Sequence, residues 1–430
     1  MNEQGRASVL LYMMARFFKH ISALLWVLCA ATLCQGSDLA LVHGKIYLSP
    51  TQAPIEDGTV LIHDGQITAV GPSSEIKLPR FVRAVTVLDC SGRVVTAGFW
   101  NSHVHILTPA LLNAKTRSDA ELTAQLEPML TRWGFTTVFD TASILDNTNE
   151  IRRRIAEGKV RGPRILTVGD PFYPKGGTPV YVKKFWEDNH LPSEEVQSLD
   201  QAVERARRQF DNGADGIKIF AGAITANGVL PFPVDIAKAL VAEAHKRGKS
   251  VFAHPSNLEG IEISLQSGVD ILAHTAAMSG DWDQALVSRL KAAHMALIPT
   301  LSLFDVEAKK AKVSQAEDEM WIAQVVQQLK VFSAAGGQVL FGTDIGYIDQ
   351  ADTTEEFTLM SRAGMTFQQI LASLTTNPAG RFGYANRSGR IAKGMDADLV
   401  VLDSDPAQDV MAFAKVRNVV REGKLIYSAR

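Results

Sequence analysis

The chain has 430 residues, which is too long for one minimal domain but would accommodate a barrel of ~250 residues with a smaller unit. Its composition, 46% hydrophobic and 21% charged, is that of an ordinary globular protein and argues against a disordered chain. With 44 Lys and Arg against 46 Asp and Glu, the formal charge of −2 provides no basic field for a polyanion, so we expect no nucleic-acid partner.

The first 36 residues have the order of charges and apolar residues that is typical of a secretory signal peptide. Arg16 and Lys19 precede the uncharged run 21–33, and the small residue Gly36 follows it. This run is shorter than the ~20 residues that a membrane-spanning helix needs. We predict a signal peptide over 1–36 and a secreted or periplasmic protein that meets the membrane only through it. The alternatives are an uncleaved anchor and a start site assigned too far upstream.

Short apolar runs that alternate with polar residues occur at both ends of the remaining chain. Asp-Gly and Gly-Pro pairs separate these runs between residues 37 and 93, and similar short alternating runs occur between residues 388 and 430. Period-two alternation with such turn signals predicts antiparallel strands. We therefore predict one small β-sandwich domain built from both chain termini.

The middle of the chain, residues 94–387, alternates strand-like and helix-like segments. Amphipathic segments such as 199–213 and 233–249 separate most of the apolar runs. The candidate strands are 94–105, 135–143, 164–172, 215–222, 250–257, 270–277, 296–303 and 339–346. This pattern predicts an α/β fold with a (β/α)8 TIM barrel, and a doubly wound open sheet is the alternative. In a barrel, catalytic residues lie at the carboxyl ends of the strands.

Four of the ten histidines lie at the carboxyl ends of candidate strands one, five and six: His103, His105, His254 and His274. Residues i and i+2 of a strand point to the same face, so His103 and His105 should project together. Neutral imidazoles are good ligands for Zn²⁺ and similar ions. Each histidine alone is also explained by solvation or backbone hydrogen bonds, but their common position favours a metal site.

A carboxylate and a lysine extend this group. Asp344 ends candidate strand eight between Gly342 and Gly346, where a buried carboxylate is costly without a cation or hydrogen-bond donors. We interpret it as a metal ligand and proton acceptor, with a helix N-cap as the alternative. Lys218 lies between two isoleucines of candidate strand four. A buried lysine needs a paired carboxylate or chemical alteration, so a salt bridge and a metal-bridging carbamate are the two interpretations.

In these residues the chain resembles the amidohydrolase superfamily, specifically its imidazolonepropionase-like and prolidase-like members. Residues 377–406 also resemble the stretch that leads from the barrel to the closing β unit in that family. The matching residues are His103, His105, Lys218, His254, His274 and Asp344.

The resemblance implies a centre with two divalent metal ions, with Zn²⁺ as the favoured ion. His103, His105 and Asp344 would hold the buried ion, and His254 with His274 would hold the more exposed one. Lys218, as N6-carboxylysine, would bridge the two. Asp344 would also be catalytic, since it would take a proton from the attacking water and deliver it to the leaving nitrogen.

Departures from the family pattern narrow the set of reactions that the protein is expected to catalyse. Imidazolonepropionases lack the strand-four lysine, so Lys218 argues against that exact reaction, and Asn257 stands where deaminases often carry glutamate. We predict a metal-dependent hydrolase that cleaves an amide bond of a small molecule such as a dipeptide or N-acyl amino acid. The alternatives are lactone, phosphoester or cyclic-amide hydrolysis at the same centre, and a non-catalytic metal-binding protein. A homo-oligomer is left open, and the loop 170–186 is a candidate substrate contact.

Overall fold

The computed structural model describes residues 39–78 and 85–429. The predicted signal peptide lies outside these residues. Among the helices of the described chain, none has the length and apolar character needed to cross a membrane.

Strands and helices alternate through the middle of the chain, and strands predominate at its ends. The strands are β1 (Leu39–Ile46), β2 (Ile55–His63), β3 (Gln66–Pro72), β4 (Thr86–Asp89), β5 (Val94–Ala97), β6 (Phe99–Val104), β7 (Phe135–Asp140), β8 (Arg164–Thr167), β9 (Gly216–Ile219), β10 (Gly222–Thr225), β11 (Gly228–Pro231), β12 (Ser250–Ala253), β13 (Ile271–Ala273), β14 (Ala296–Ile298), β15 (Leu399–Leu402), β16 (Val416–Arg421) and β17 (Lys424–Ser428). The helices are α1 (Asp119–Met129), α2 (Leu145–Ala156), α3 (Val180–Asp188), α4 (Leu199–Asp211), α5 (Val234–His245), α6 (Leu258–Ser267), α7 (Gln284–Ala292), α8 (Ser302–Ala311), α9 (Gln315–Ala334), α10 (Thr354–Arg362), α11 (Phe367–Leu374) and α12 (Thr376–Arg381).

An eight-stranded mixed sheet combines both ends of the described chain, in the order β17-β16-β15-β5-β1-β2-β3 with β4 paired to β1. Strand β5 joins the two ends, because it pairs in parallel with β1 and antiparallel with β15. A buried apolar cluster that includes Ile46, Val60, Val95 and Val401 covers this sheet. The candidate strand 94–105 is therefore divided, since β5 belongs to this mixed sheet and β6 to a parallel one.

Two parallel sheets carry the middle of the chain, β6-β7-β8 and β14-β13-β12-β9. A parallel bridge between Phe172, which follows β8, and Ile219 of β9 connects the two sheets, and a second bridge joins Leu297 of β14 to Val339. A third joins Ile345 to Val104. The last candidate strand, 339–346, contributes only bridges, at Val339 and Ile345, and the positive φ of Asp344 (62°) takes the backbone out of the extended region just before the second bridge. The α/β class is confirmed.

A buried charge cluster connects β8 to the mixed sheet. The guanidinium of Arg164 lies 3.1 Å from Oδ2 of Asp396 and 3.1 Å from Oε1 of Glu422, and its other nitrogen lies 3.8 Å from Oδ2 of Asp398. Both aspartates are buried, so Arg164 compensates carboxylates that water reaches poorly. This contact holds the mixed sheet on the amino-terminal side of β8, opposite the strand ends that carry the histidines.

Candidate metal centre

His103, at the end of β6, and His105, just beyond it, converge on one carboxylate oxygen. Oδ1 of Asp344 lies 3.1 Å from Nε2 of His103 and 2.8 Å from Nε2 of His105. The two imidazole nitrogens are themselves 3.3 Å apart. Within residues 39–78 and 85–429, these three side chains form the one group of histidine, cysteine and acidic residues with ligand atoms close enough to share a metal ion, all within 4.8 Å.

The hydrogen bond made by Nδ1 of His105 determines whether its Nε2 carries a hydrogen or a lone pair. Nδ1 of His105 lies 2.8 Å from the carbonyl oxygen of Ala142, which only accepts hydrogen bonds, so Nδ1 carries the hydrogen. A neutral His105 then directs a lone pair from Nε2 at Oδ1 of Asp344, an atom that receives no hydrogen bond from any residue the structure describes. A cation between these atoms resolves their repulsion, and two imidazoles with a carboxylate are a suitable donor set for a divalent ion such as Zn²⁺.

Burial sets the protonation of this group. It lowers the pKa of His103 to about 3 and that of His254 to about 3, and the charge of Lys218 acts in the same direction. Burial would raise the pKa of Asp344, but His103 and His274 hold it well below its usual range. Near neutral pH His103 and His254 are therefore neutral imidazoles and Asp344 is an ionised carboxylate, which are the forms that bind metals.

The other two histidines lie beside this group. Nε2 of His274 is 4.0 Å from Oδ2 of Asp344, and its ring centroid is 4.5 Å from that of His103. The ring of His254 meets that of His274 at 4.9 Å and stacks on Phe220 at 4.8 Å. All four histidines thus surround Asp344 at one end of the parallel strands.

Lys218 is 1% exposed, and burial lowers its pKa to about 7, while the charge of Asp344 acts in the opposite direction. Its Nζ lies 5.5 Å from the ring centroid of Phe220. In the part of the chain that the structure describes, no carboxylate oxygen lies within 4 Å of Nζ, so the salt-bridge interpretation of Lys218 finds no partner there.

Two glycines allow the last parallel segment to approach β6. A Cβ on Gly346, where φ is 101°, would lie 1.9 Å from the carbonyl oxygen of His105. A Cβ on Gly342 would lie 2.8 Å from Cβ of His103. Larger residues would separate Asp344 from both histidines, which explains why glycine flanks this carboxylate.

A family model described as the amidohydrolase family matches residues 94–426. This range includes the six predicted site residues: His103, His105, Lys218, His254, His274 and Asp344. The chain belongs to the amidohydrolase family. The resemblance stated from the sequence is confirmed, and this amidohydrolase is an enzyme that acts on carbon–nitrogen bonds.

Similar proteins extend over nearly the same length. An ochratoxinase from Aspergillus niger is 22% identical over 434 residues, covering 90% of this amidohydrolase and 87% of the relative. An imidazolonepropionase from Brucella suis biovar 1 is 24% identical over 424 residues, with 87% and 95% covered. The crystal structure of a putative prolidase from Bifidobacterium longum has a TM-score of 0.75 at 25% identity, covering 91% of this chain and 95% of that one.

Sequence reasoning about this amidohydrolase missed Asp140, which ends β7 and is fully buried. Its carboxylate accepts hydrogen bonds from Oγ1 of Thr167 at 2.8 Å, from N–H of Ile106 at 3.2 Å and from the hydroxyl of Ser143. These bonds fix the backbone directly after His105. An aspartate that closes an apolar strand was visible in the sequence and was the signal for this role.

Proposed function

We propose that this amidohydrolase cleaves the amide bond of a small molecule, such as a dipeptide or an N-acyl amino acid. The observation that carries the proposal is the 2.8 Å approach of His105 to Asp344 with the His105 Nδ1 hydrogen committed to Ala142, because this arrangement suits a bound cation. The likeness to a putative prolidase supports a peptide-like substrate.

Six side chains would hold two divalent ions, with Zn²⁺ favoured: His103, His105, Lys218, His254, His274 and Asp344. When bound, such ions would supply Lewis-acid chemistry, which polarises a carbonyl and lowers the pKa of water toward ~7. Asp344 accepts a proton from the attacking water and gives it to the nitrogen as the carbon–nitrogen bond breaks. The neutral imidazoles keep their lone pairs available, and no covalent enzyme intermediate is needed.

Lys218 is proposed to become N6-carboxylysine. Since burial lowers its pKa to about 7, a large fraction of the amine is neutral near pH 7 and carries a free lone pair. That lone pair forms a bond to the carbon of CO₂, one N–H proton leaves to solvent, and an anionic group with two oxygens remains. The product supplies the negative charge that two adjacent cations require.

We also propose that the connected parallel sheets form a (β/α)8 barrel over 94–387, with the terminal β-sandwich as a second domain. The parallel bridges that link Phe172 to β9, β14 to Val339 and Ile345 to β6 support a closed ring of strands. In that arrangement the histidines lie at the carboxyl-terminal mouth, where barrel enzymes carry their catalytic groups.

The loop 170–186 is proposed to contact the substrate through Tyr181, in the first turn of α3. Its ring centroid lies 6.5 Å from that of His254 and 5.2 Å from that of Tyr347, and its buried hydroxyl has no hydrogen-bond partner among residues 39–78 and 85–429. A buried hydroxyl without a partner is costly, and a substrate oxygen would satisfy it.

We propose that the segment 1–36 directs export. Measuring the mass of the mature protein tests this, because it identifies the mature amino terminus.

The test of the function combines metal quantification with amide, ester, lactone and phosphoester panels on the mature protein. We expect two ions, amide hydrolysis that a chelator abolishes, and recovery with Zn²⁺. If the protein binds two ions but hydrolyses only lactones or phosphoesters, the proposed amide substrate is wrong. If the metal-loaded protein hydrolyses none of these compounds, the proposal that it is a hydrolase of this kind is wrong.

A further inference from the structure

Helix α8 begins without a capping side chain from its own sequence. Its N-cap residue, Leu301, is in the helical region and makes no side-chain cap. Instead, the carboxylate of Glu356, on α10, accepts the N–H of Leu301 at 2.9 Å and the N–H and hydroxyl of Ser302 at 2.8 and 3.0 Å. Glu356 is 1% exposed, so a buried carboxylate from a distant helix fixes this turn.

The residue before this turn contacts His274. Thr300 is fully buried with φ of 45°, and its hydroxyl donates to the carbonyl oxygen of Pro299 at 2.9 Å. With that hydrogen directed at Pro299, Oγ1 of Thr300 is available to accept a hydrogen bond from Nδ1 of His274, which lies 2.7 Å away. This pairing selects the His274 tautomer whose Nε2 carries a lone pair, and Nε2 lies 4.0 Å from Oδ2 of Asp344.

Backbone strain makes this turn dependent on its surroundings. The φ of 45° at Thr300 and the φ of 108° at His274 are both in a region that non-glycine residues rarely adopt. Such conformations persist only where neighbouring contacts hold them. Glu356 supplies three hydrogen bonds to the two residues that follow Thr300, which is where the turn must be held.

We propose that Glu356 is a positioning residue for the metal centre, which acts through Thr300 to orient His274. The inference rests on the proposed function in one respect, the assignment of His274 to the second metal position. The alternative is that Glu356 only stabilises the start of α8. Metal affinity separates the two roles, because a purely structural contact changes the free energy of unfolding and leaves the affinity of the folded protein unchanged.

The test is Co²⁺ and Zn²⁺ titration of metal-free protein against a chromophoric chelator. Glu356→Gln replaces one acceptor oxygen by an NH₂ group that faces backbone N–H donors. We expect the second ion to bind ~10 to 100-fold more weakly, the usual loss when a ligand's supporting hydrogen bond is removed. Glu243→Gln is the control, since Glu243 is also buried but pairs with Arg207 on α4 and with Arg247 just beyond the end of α5.

Two threonine variants keep the test decisive if Glu356→Gln does not fold. Thr300→Val removes the acceptor at similar volume and should weaken the second ion as much, whereas Thr300→Ser should retain wild-type affinity. If Glu356 acts through Thr300, the double variant that combines Glu356→Gln with Thr300→Val loses no more than Thr300→Val alone. Wild-type affinity for both ions in folded Glu356→Gln or Thr300→Val overturns the inference. A wild type that binds two ions but cleaves no amide contradicts only the proposed function.

Discussion

Nε2 of His105 lies 2.8 Å from Oδ1 of Asp344, and neither atom has a hydrogen to place between them when the imidazole is neutral. A metal ion makes this contact favourable. The same carboxylate is the proton acceptor of the proposed reaction, so metal binding and proton transfer depend on one side chain.

We expect Asp344→Asn to lower hydrolysis by ~10² to 10⁴-fold, because an amide at this position cannot accept and return a proton. Metal content should also fall, since the amide is a weaker ligand than the carboxylate. Hydrolysis rates and metal quantification measure both effects, and Asp403→Asn, directly after β15, is the control. Full activity in folded Asp344→Asn would contradict its catalytic role.

Lys218→Ala should lower metal content to one ion or fewer per chain, because the bridging ligand is lost. Purification without CO₂ should likewise lower the metal content of the wild type to one ion or fewer per chain, and added bicarbonate should restore binding of the second ion. Metal analysis with and without bicarbonate provides the measurement. Retention of two ions and full activity by the variant would show that Lys218 does not bridge.

The lysine also predicts a pH dependence of the metal-free protein. Its pKa falls from 10.5 to about 7 on folding, so between these values the unfolded chain binds more protons than the folded one. Stability therefore rises with pH across this window, by at most about 1.4 kcal/mol per pH unit, and is lost as pH falls toward 7. Denaturant titrations at several pH values should show this slope in the wild type and its absence in Lys218→Met. An equal slope in both proteins would assign it to other groups.

Gly346→Ala should weaken metal binding and stability together. The added Cβ meets the carbonyl oxygen of His105, and the positive φ adds strain of about 1 to 3 kcal/mol. Gly364→Ala is a matched control, since φ there is 83° but nothing lies within 4 Å of the added atom. Thermal unfolding and Co²⁺ titration should show loss of stability in both variants and loss of affinity in Gly346→Ala alone. If Gly346→Ala and Gly364→Ala bind Co²⁺ with similar affinity, the added Cβ at position 346 does not displace His103 or His105 from Asp344.

Arg164→Ala should reduce the free energy of unfolding by about 3 to 5 kcal/mol, because it leaves buried Asp398 without its ion pair and buried Asp396 paired with Arg387 alone. Arg153→Ala, which breaks exposed pairs with Glu150 and Glu157, should cost less than about 1 kcal/mol. Denaturant titration compares the two. A small effect at Arg164 would imply that water or protonation relieves Asp396 and Asp398.

Tyr181→Phe should reduce kcat/KM by roughly 10-fold or more while leaving metal content unchanged, since a hydrogen bond to a charged oxygen contributes about 1.5 to 3 kcal/mol. Tyr427→Phe on β17 is the control. A fall in kcat would indicate contact with the oxygen that becomes charged, and a rise in KM alone would indicate ground-state binding. Unchanged kinetics would remove Tyr181 from the substrate site.

The sequence allowed the α/β class and the family to be predicted, because periodicity and an ordered set of histidines, lysine and aspartate are local signals. Thr300 and Glu356 escaped prediction for a physical reason. Their importance depends on which carbonyl, amide or imidazole lies opposite them, and those partners are distant in the chain. The irregular last segment was also missed, since the positive φ of Asp344 is not encoded in an apolar pattern.

The pairing of Thr96 in β5 with Val400 in β15 has a consequence for how the chain is made. During synthesis β5 emerges early, but one of its edges has no partner until nearly the whole chain has been translated. An open edge of apolar residues is a site for pairing with other chains. The nascent enzyme therefore passes through a long aggregation-sensitive interval, which a truncation before Leu399 would make permanent.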